Sequence, residues 1–320
     1  MNDWVTVGLG LVILAVGAEV LIRGATEIAR RLGLSELLIG LTLVGFGTST
    51  PELVSSVEAA VQGSAGIAVG NVVGSNVANL LLILGLSALI APIAVEPRSF
   101  RRDSTAVLVV TLLAIVVSMT IGLTRFAGFI FLAGLFGYIA IAYLAERQAP
   151  DHPATERHEA AAAELPRGPR PILLDIAMAV VGLGILMAGA RFLVSGAINI
   201  AHAMGVSETI IGLTIVAVGT SLPELVTSVM AAWRGRSALA LGNVVGSNLY
   251  NILGILGLTA VIQPLQTPPE IIRFDNWVML AATVAMVFFA LSGRRISRVE
   301  GGALVLAYGA YVSWLVAHAS

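Results

Sequence analysis

Apolar residues run through this chain in long blocks with short polar gaps, and ten of the blocks are long enough to cross a bilayer. They cover about residues 4–24, 36–62, 66–91, 104–122 and 126–145, then 172–195, 208–233, 238–263, 275–292 and 299–318. Helix is the expected state for runs this continuous, because a helix satisfies its own backbone polar groups inside a bilayer. Blocks two, three, seven and eight are overlong and carry polar residues at their centres. That pattern suits helices that are broken and partly unwound at mid-membrane. One sizeable polar stretch, residues 148–171, separates residues 1–147 from residues 172–320, with five blocks on each side. Its Pro, Ala and mixed charges read as a linker. His152, His158 and the neighbouring glutamates lack ligand spacing, so a metal site there is set aside.

The polar residues inside the apolar blocks are not scattered. Residues 40–85 align with residues 212–257 at a constant offset of 172, without a gap, and 29 of the 46 positions are identical. The first copy reads GLTLVGFGTSTPELV and then GNVVGSNVAN; the second reads GLTIVAVGTSLPELV and then GNVVGSNLYN. A glutamate kept in both copies of a duplicated membrane segment points to a transport site at a repeat interface.

Arginine placement sets the topology. The 18 basic residues are all Arg, and 15 of them fall in the loops that follow the odd-numbered helices, such as Arg30, Arg31, Arg101, Arg102, Arg234 and Arg236. Those loops are expected to be cytoplasmic, with both termini external and the protein in the cytoplasmic membrane. Five helices per half is an odd number, so the second half enters from the opposite side. The expected fold is therefore all-α: ten transmembrane helices in two inverted five-helix repeats, with helices two, three, seven and eight broken around a central site. Glu19 aligns with Arg191, but inversion puts equivalent positions near opposite faces, so the two are not expected to pair.

Composition narrows the function without adding chemistry. The chain has 320 residues, 57% of them hydrophobic and only 12% charged; with a mean hydropathy of +0.93 it reads as an integral membrane protein. Cys is absent, which removes disulfides and thiolate metal sites. A net charge of −1 and the lack of a basic run give no reason to expect nucleic acid. No obligate protein partner is evident. The N-terminal apolar run lacks a basic flank and a small-residue cleavage site, so a retained helix is expected there.

The repeated motif has specific chemistry. Pro51 has no N–H to donate, and its ring crowds the carbonyl of Gly47, so helix two should break with carbonyl oxygens freed. Glu52 follows Thr48 by four residues and Ser49 by three, which on a regular helix gives the three side chains one face. Thr220, Ser221, Pro223 and Glu224 repeat this arrangement. On helix three Ser75 and Asn79 are four apart, and on helix eight Ser247 and Asn251 match them. Gly70, Gly74, Gly242 and Gly246 are small enough to admit another backbone. Asn71, Asn243, Asn76 and Asn248 read as braces rather than ligands. The donors are all hard oxygens, which favours Ca²⁺ or Na⁺ over Zn or Cu. Two facing carboxylates repel each other, so the pair needs one Ca²⁺, two or more Na⁺, or protons.

GTSxPEL followed by GNVVGSNxxN, present twice, resembles the α-repeats of the cation/calcium exchanger family, which includes prokaryotic sodium/calcium antiporters. The resemblance implies a calcium site at Thr48, Glu52, Thr220 and Glu224. It implies an inner sodium site at the Gly45 carbonyl, Thr48, Ser49, Glu52 and Ser75. An outer sodium site would lie at the Ala217 carbonyl, Thr220, Ser221, Glu224 and Ser247. Asn79 and Asn251 complete the centre, and helices one and six would form a sliding gate. No cofactor is implied: Ca²⁺ and Na⁺ are the transported substrates. Sodium-coupled relatives often carry Asp where this chain has Asn251, so two readings stand. One is Ca²⁺ extrusion against inward Na⁺ by alternating access; the other is a H⁺/Ca²⁺ antiporter on the same scaffold. A channel would need a continuous pore with rings of like residues. A membrane-embedded hydrolase would need two carboxylates in unlike environments, and here the surroundings repeat, so no enzyme is expected.

Overall fold

The computed structural model describes residues 3–147, 171–204 and 217–318. Most of the linker and the start of the seventh block therefore lie outside the described residues. The helices are α1 (Asp3–Leu32), α2 (Glu36–Thr48), α3 (Thr50–Val61), α4 (Ala65–Ile90), α5 (Pro97–Met119) and α6 (Arg125–Arg147). After the linker come α7 (Ile172–Ala203), the short α8 (Ala217–Thr220), α9 (Leu222–Trp233), α10 (Ser237–Ile262), α11 (Ile271–Ser292) and α12 (Arg298–His318). Among the described residues eight helices are long and apolar enough to cross a membrane, and α2 with α3 makes a ninth span bent by 45°.

The bend falls at Ser49, whose backbone (φ −81°, ψ 10°) leaves the helical region two residues before Pro51, which lies in the first turn of α3. Ser221 repeats it at φ −89°, ψ 11°, ahead of Pro223. Proline is tolerated in a first helical turn because that N–H has no intrahelical acceptor. The expectation of breaks in helices three and eight is not met. α4 and α10 run through continuously, and only widen into π-type turns at Ala78–Ile83 and Tyr250–Leu256. Neither segment contains a proline, and a widened turn reorients side chains while keeping the backbone hydrogen-bonded. Asn79 and Asn251 sit in these two turns.

α4 and α10 are the most deeply buried helices and form the centre. Gly242 and Gly246 of α10 lie against the backbone of Leu37, Gly40 and Leu41 in α2, where a Cβ would collide. The segment that the offset would set against Gly70 and Gly74 lies outside the described residues.

α1 and α7 form a second, separate body. Gly10, Gly17 and Gly24 recur every seventh residue, and the offset of 172 carries them onto Gly182, Gly189 and Gly196. The two stripes face each other antiparallel. A Cβ on Gly10, Gly17 or Gly24 would stand 2.6 Å from the backbone nitrogen of Leu193, Leu186 or Ala179. Backbones this close exchange dispersion along their whole length, which is how small residues hold membrane helices together.

The arginine-bearing ends gather on one face. There Arg31 pairs with Asp175 at 2.5 Å, the Ser35 N–H donates to Glu146 at 2.7 Å, and Arg236 pairs with Glu36. Two short strands of two residues each, Ile93–Ala94 and Arg295–Ile296, pair antiparallel at the same end of a fold that is otherwise helical as expected. On the opposite face Asn199 donates to Asp3 at 3.0 Å and Leu123 pairs with Leu265. Glu19 meets Arg23 at 2.7 Å and Arg234 at 2.9 Å, not Arg191.

Candidate ion site

The two bends bring Glu52 and Glu224 to the middle of the molecule, both fully buried. Each is held by the serine of the other copy. Ser49 donates to Glu224 Oε1 at 2.7 Å, and Ser221 donates to Glu52 Oε1 at 2.9 Å. On a regular helix each glutamate would face the serine of its own copy. The change of backbone direction at Ser49 and Ser221 overrides that spacing and sends each hydroxyl across the repeat interface. The Thr48 hydroxyl lies 3.0 Å from the Val44 carbonyl and 3.3 Å from the Gly45 carbonyl of its own helix, and 3.2 Å from Asn243 Oδ1 across the repeat interface.

Helices α4 and α10 close the ring. Ser75 Oγ is 3.4 Å from Ser221 Oγ, and Ser247 donates to the Gly45 carbonyl at 3.2 Å. That carbonyl also takes the Ser49 N–H at 3.2 Å, so it is shared rather than freed. Asn71 donates to the Glu52 carbonyl (3.2 Å) and Ser56 Oγ (2.9 Å). Asn243 does the same for the Glu224 carbonyl (3.3 Å) and Ser228 Oγ (2.8 Å). These two asparagines brace the bends, tying each broken helix to its neighbour at the residue that carries the charge.

The amides one turn deeper also pair across the copies. Asn79 donates to Asn248 Oδ1 at 3.4 Å, and Asn251 donates to Asn76 Oδ1 at 3.2 Å. Four acceptor oxygens are left over: Glu52 Oε2, Glu224 Oε2, Asn79 Oδ1 and Asn251 Oδ1 are buried with no hydrogen-bond partner among the described residues. A buried acceptor without a donor costs about 1–3 kcal/mol, and more when charged. A hard cation supplies what such buried oxygens lack, and oxygen donors of this kind fit Ca²⁺ or Na⁺. No group of three or more His, Cys, Asp or Glu assembles among the described residues, so the negative charge here rests on two carboxylates.

Of the twelve residues singled out from the sequence, Gly45, Thr48, Ser49, Glu52, Ser75, Ser221, Glu224 and Ser247 take part in the hydrogen bonds around the two glutamates, and Asn79 and Asn251 in the amide pairs one turn on. Ala217 opens α8, and Thr220 ends it partly exposed, whereas its counterpart Thr48 is buried. One member was not legible. Met279 of α11 accepts from Asn76 Nδ2 at a sulfur distance of 3.6 Å, and a methionine in an apolar helix gives no sign of such a role.

The surroundings break the symmetry of the motif. α1 packs along α9 and is tied to its end through Glu19 and Arg234, but α7 makes no comparable packing on α3. The body formed by α1 and α7 thus leans on α9 of the second copy at the arginine-rich end, and meets the first copy along α2, where Leu183 lies against Gly47, rather than along α3.

A family model described as sodium/calcium exchanger protein matches residues 2–144 and 174–317. "Putative antiporter CaxA" of Alkalimonas amylolytica is 41% identical over 307 residues, covering 95% of each chain. "Sodium/calcium exchanger MaX1" of Methanosarcina acetivorans is 35% identical, again with 95% of each chain covered. "Inner membrane protein YrbG" of Escherichia coli is 36% identical over 96% of this chain and 94% of its own. Among solved structures, the sodium-calcium exchanger NCX_Mj soaked with 10 mM Na⁺ and zero Ca²⁺ superposes with a TM-score of 0.82 at 28% identity, covering 99% and 98% of the two chains.

Proposed function

Because this chain belongs to the sodium/calcium exchanger protein family, a family of membrane transporters and not of enzymes, we propose that it extrudes Ca²⁺ from the cell in exchange for inward Na⁺ by alternating access. The observation that carries the reading is the pair of buried carboxylates, each with one oxygen held by the opposite copy's serine and one oxygen unpaired. The two carboxylates, −2 in total when both are ionised, balance one Ca²⁺ or two Na⁺. A third Na⁺ would leave the site net positive in a medium of low dielectric, which is costly. The two ions therefore compete for one set of oxygens, and competition at a shared site is the basis of exchange.

In this reading the chain holds ten helices in two inverted repeats, lies in the cytoplasmic membrane, and has the arginine-rich face inside and both termini outside. Thr48, Glu52, Thr220 and Glu224 hold Ca²⁺. Gly45, Ser49 and Ser75 join Thr48 and Glu52 for the inner Na⁺, and Ala217, Ser221 and Ser247 join Thr220 and Glu224 for the outer one. Asn79 and Asn251 face the centre. The α1–α7 pair is the moving gate, and the partly exposed Thr220 marks the side from which ions enter in the present state. Cysteines introduced at Ala161 and Ser320 of this Cys-free chain test the orientation: the first should label only from the cytoplasmic side, the second only from outside.

Asn251, in place of an acid, leaves one ionisable group fewer and favours a second reading, exchange against H⁺. Purified protein in liposomes separates the two. Calcium uptake driven by an outward Na⁺ gradient at clamped pH supports sodium coupling. Uptake that needs a pH gradient and ignores Na⁺ supports proton coupling.

A further inference from the structure

We propose that Asn76 and Met279 are positioning residues that fix which end of the Asn251 amide faces the ions; the inference rests on the cation-site reading above. An asparagine amide has two ends of nearly equal size, an acceptor oxygen and a donor NH₂. Only the oxygen serves a cation; the NH₂ end would turn two partial positive charges toward it. The side chain cannot choose by shape, so its neighbours must choose for it.

For Asn251 the choice is made in two steps. Its Nδ2 donates to Asn76 Oδ1 at 3.2 Å, which turns Oδ1 the other way, to a buried position with no donor among the described residues. Asn76 is itself an amide and could turn over, offering its NH₂ to Asn251 and undoing the arrangement. It is held because its Nδ2 donates to the thioether sulfur of Met279 at 3.6 Å. A thioether accepts but does not donate, so only one orientation of Asn76 is satisfied. Met279 and Asn76 are each 1% exposed, so bulk water is kept from the contact. Sulfur is a weak acceptor, but two successive amides make the orientation cooperative.

The equivalent arrangement around Asn79 lacks this last link. Asn79 donates to Asn248 Oδ1 at 3.4 Å, but Asn248 Nδ2 is buried with no partner among the described residues. The first-copy amide is therefore free to turn, and the second-copy amide is anchored. The centre has one fixed neutral oxygen and one adjustable one, which suits a site that must serve one divalent ion and then smaller-charged ions in turn.

The test uses purified full-length protein and reads the half-saturating concentrations of Ca²⁺ and Na⁺ by calorimetric titration, with thermal stability in parallel. Met279→Leu keeps bulk and apolarity but removes the acceptor. It should raise the half-saturating concentration about three- to tenfold, the worth of one buried hydrogen bond. Met279→Gln restores an acceptor oxygen at a similar reach, but its amide can also turn over and offer its NH₂, so it should return affinity only in part, above Met279→Leu and below the wild type. Asn76→Leu, which frees the Asn251 amide outright, should weaken binding about tenfold or more. Packing alone predicts the reverse order at 279, with Leu as good as Met and Gln worse. That order, or unchanged affinities in all three variants, overturns the positioning role. A wild-type protein that binds neither ion overturns the cation-site reading, and this inference with it.

Discussion

The two copies of the repeated motif share 29 of 46 residues, yet in the folded chain they do different things. In the first copy Thr48 is sealed and the bent helix α3 has no extensive packing on the α1–α7 body among the described residues; in the second, Thr220 is partly exposed and α9 is packed against α1. The charge-bearing contacts ignore this difference, since Ser49 with Glu224 and Ser221 with Glu52 are near mirror images. What the comparison teaches is that symmetry belongs to the two carboxylates and their serines, and asymmetry to what surrounds them. Carboxylates that must serve ions from either side of a membrane gain from equivalent contacts, and a cover that alternates has to differ at any one moment.

The sharpest attempt to break this comparison is to remove one charge from either copy. Glu52→Gln and Glu224→Gln should each lower calcium flux more than about a hundredfold, because losing one member of a buried, mutually compensated charge set costs about 3–5 kcal/mol. Both variants should still fold and insert, since each replaces a carboxylate by a neutral group of the same size. Flux in proteoliposomes checks this, and a large loss in one variant with near-normal flux in the other would show that the two copies are not equivalent at the site.

The braces test whether symmetry extends to the bends. Asn71→Ala and Asn243→Ala each leave a glutamate carbonyl and a serine hydroxyl without their donor, at about 1–3 kcal/mol. Asn243→Ala should cost more, because Asn243 also meets Thr48 while no such contact is seen for Asn71 among the described residues. Denaturation midpoints in detergent give the order, and equal losses would remove Thr48 as the source of the difference.

The cover can be probed directly in a chain without cysteine. Thr220→Cys should react with a soluble thiol reagent at least about tenfold faster than Thr48→Cys, because modification needs access as well as a thiolate. Equal rates would mean that the partial exposure of Thr220 is not a route from water. The smallest effect belongs to Glu19→Gln, which cuts the link from α1 to Arg234. Arg234 is 47% exposed and Glu19 22%, so the pair is worth about 0.2–1 kcal/mol, and the variant should slow labelling at position 220 and speed it at position 48 by no more than severalfold. Unchanged rates would assign closure to helix packing alone.

Much of this was legible before any coordinates. Pro51 and Pro223 foretold both bends, and the glutamates beside them foretold the buried charge, because neither feature has a cheap place in an apolar helix. The partners were harder. Spacing assigned Ser49 to Glu52, and the structure assigns it to Glu224, since a rule for regular helices fails at the residue where the helix stops being regular. Helices α4 and α10 were expected to break because glycine and asparagine cluster in them, but without a proline the backbone could widen a turn instead. The sulfur of Met279 carried no signal at all: its role depends on one contact with Asn76 across 203 residues of chain.

The glycine stripes that lock α1 to α7 have a consequence outside the protein. Helices of 30 and 32 residues are about 45 and 48 Å long, against a hydrocarbon layer of about 30 Å. A pair so long lies strongly inclined or rests its ends among the lipid headgroups, and its inclination follows the thickness of the bilayer around it. If this pair is the moving part, each cycle drags an oversized rod through a layer of fixed depth, and the length of the surrounding acyl chains sets how far it must travel. Membrane thickness then acts on the exchanger much as an effector would, through the elastic cost of fitting a helix to its solvent.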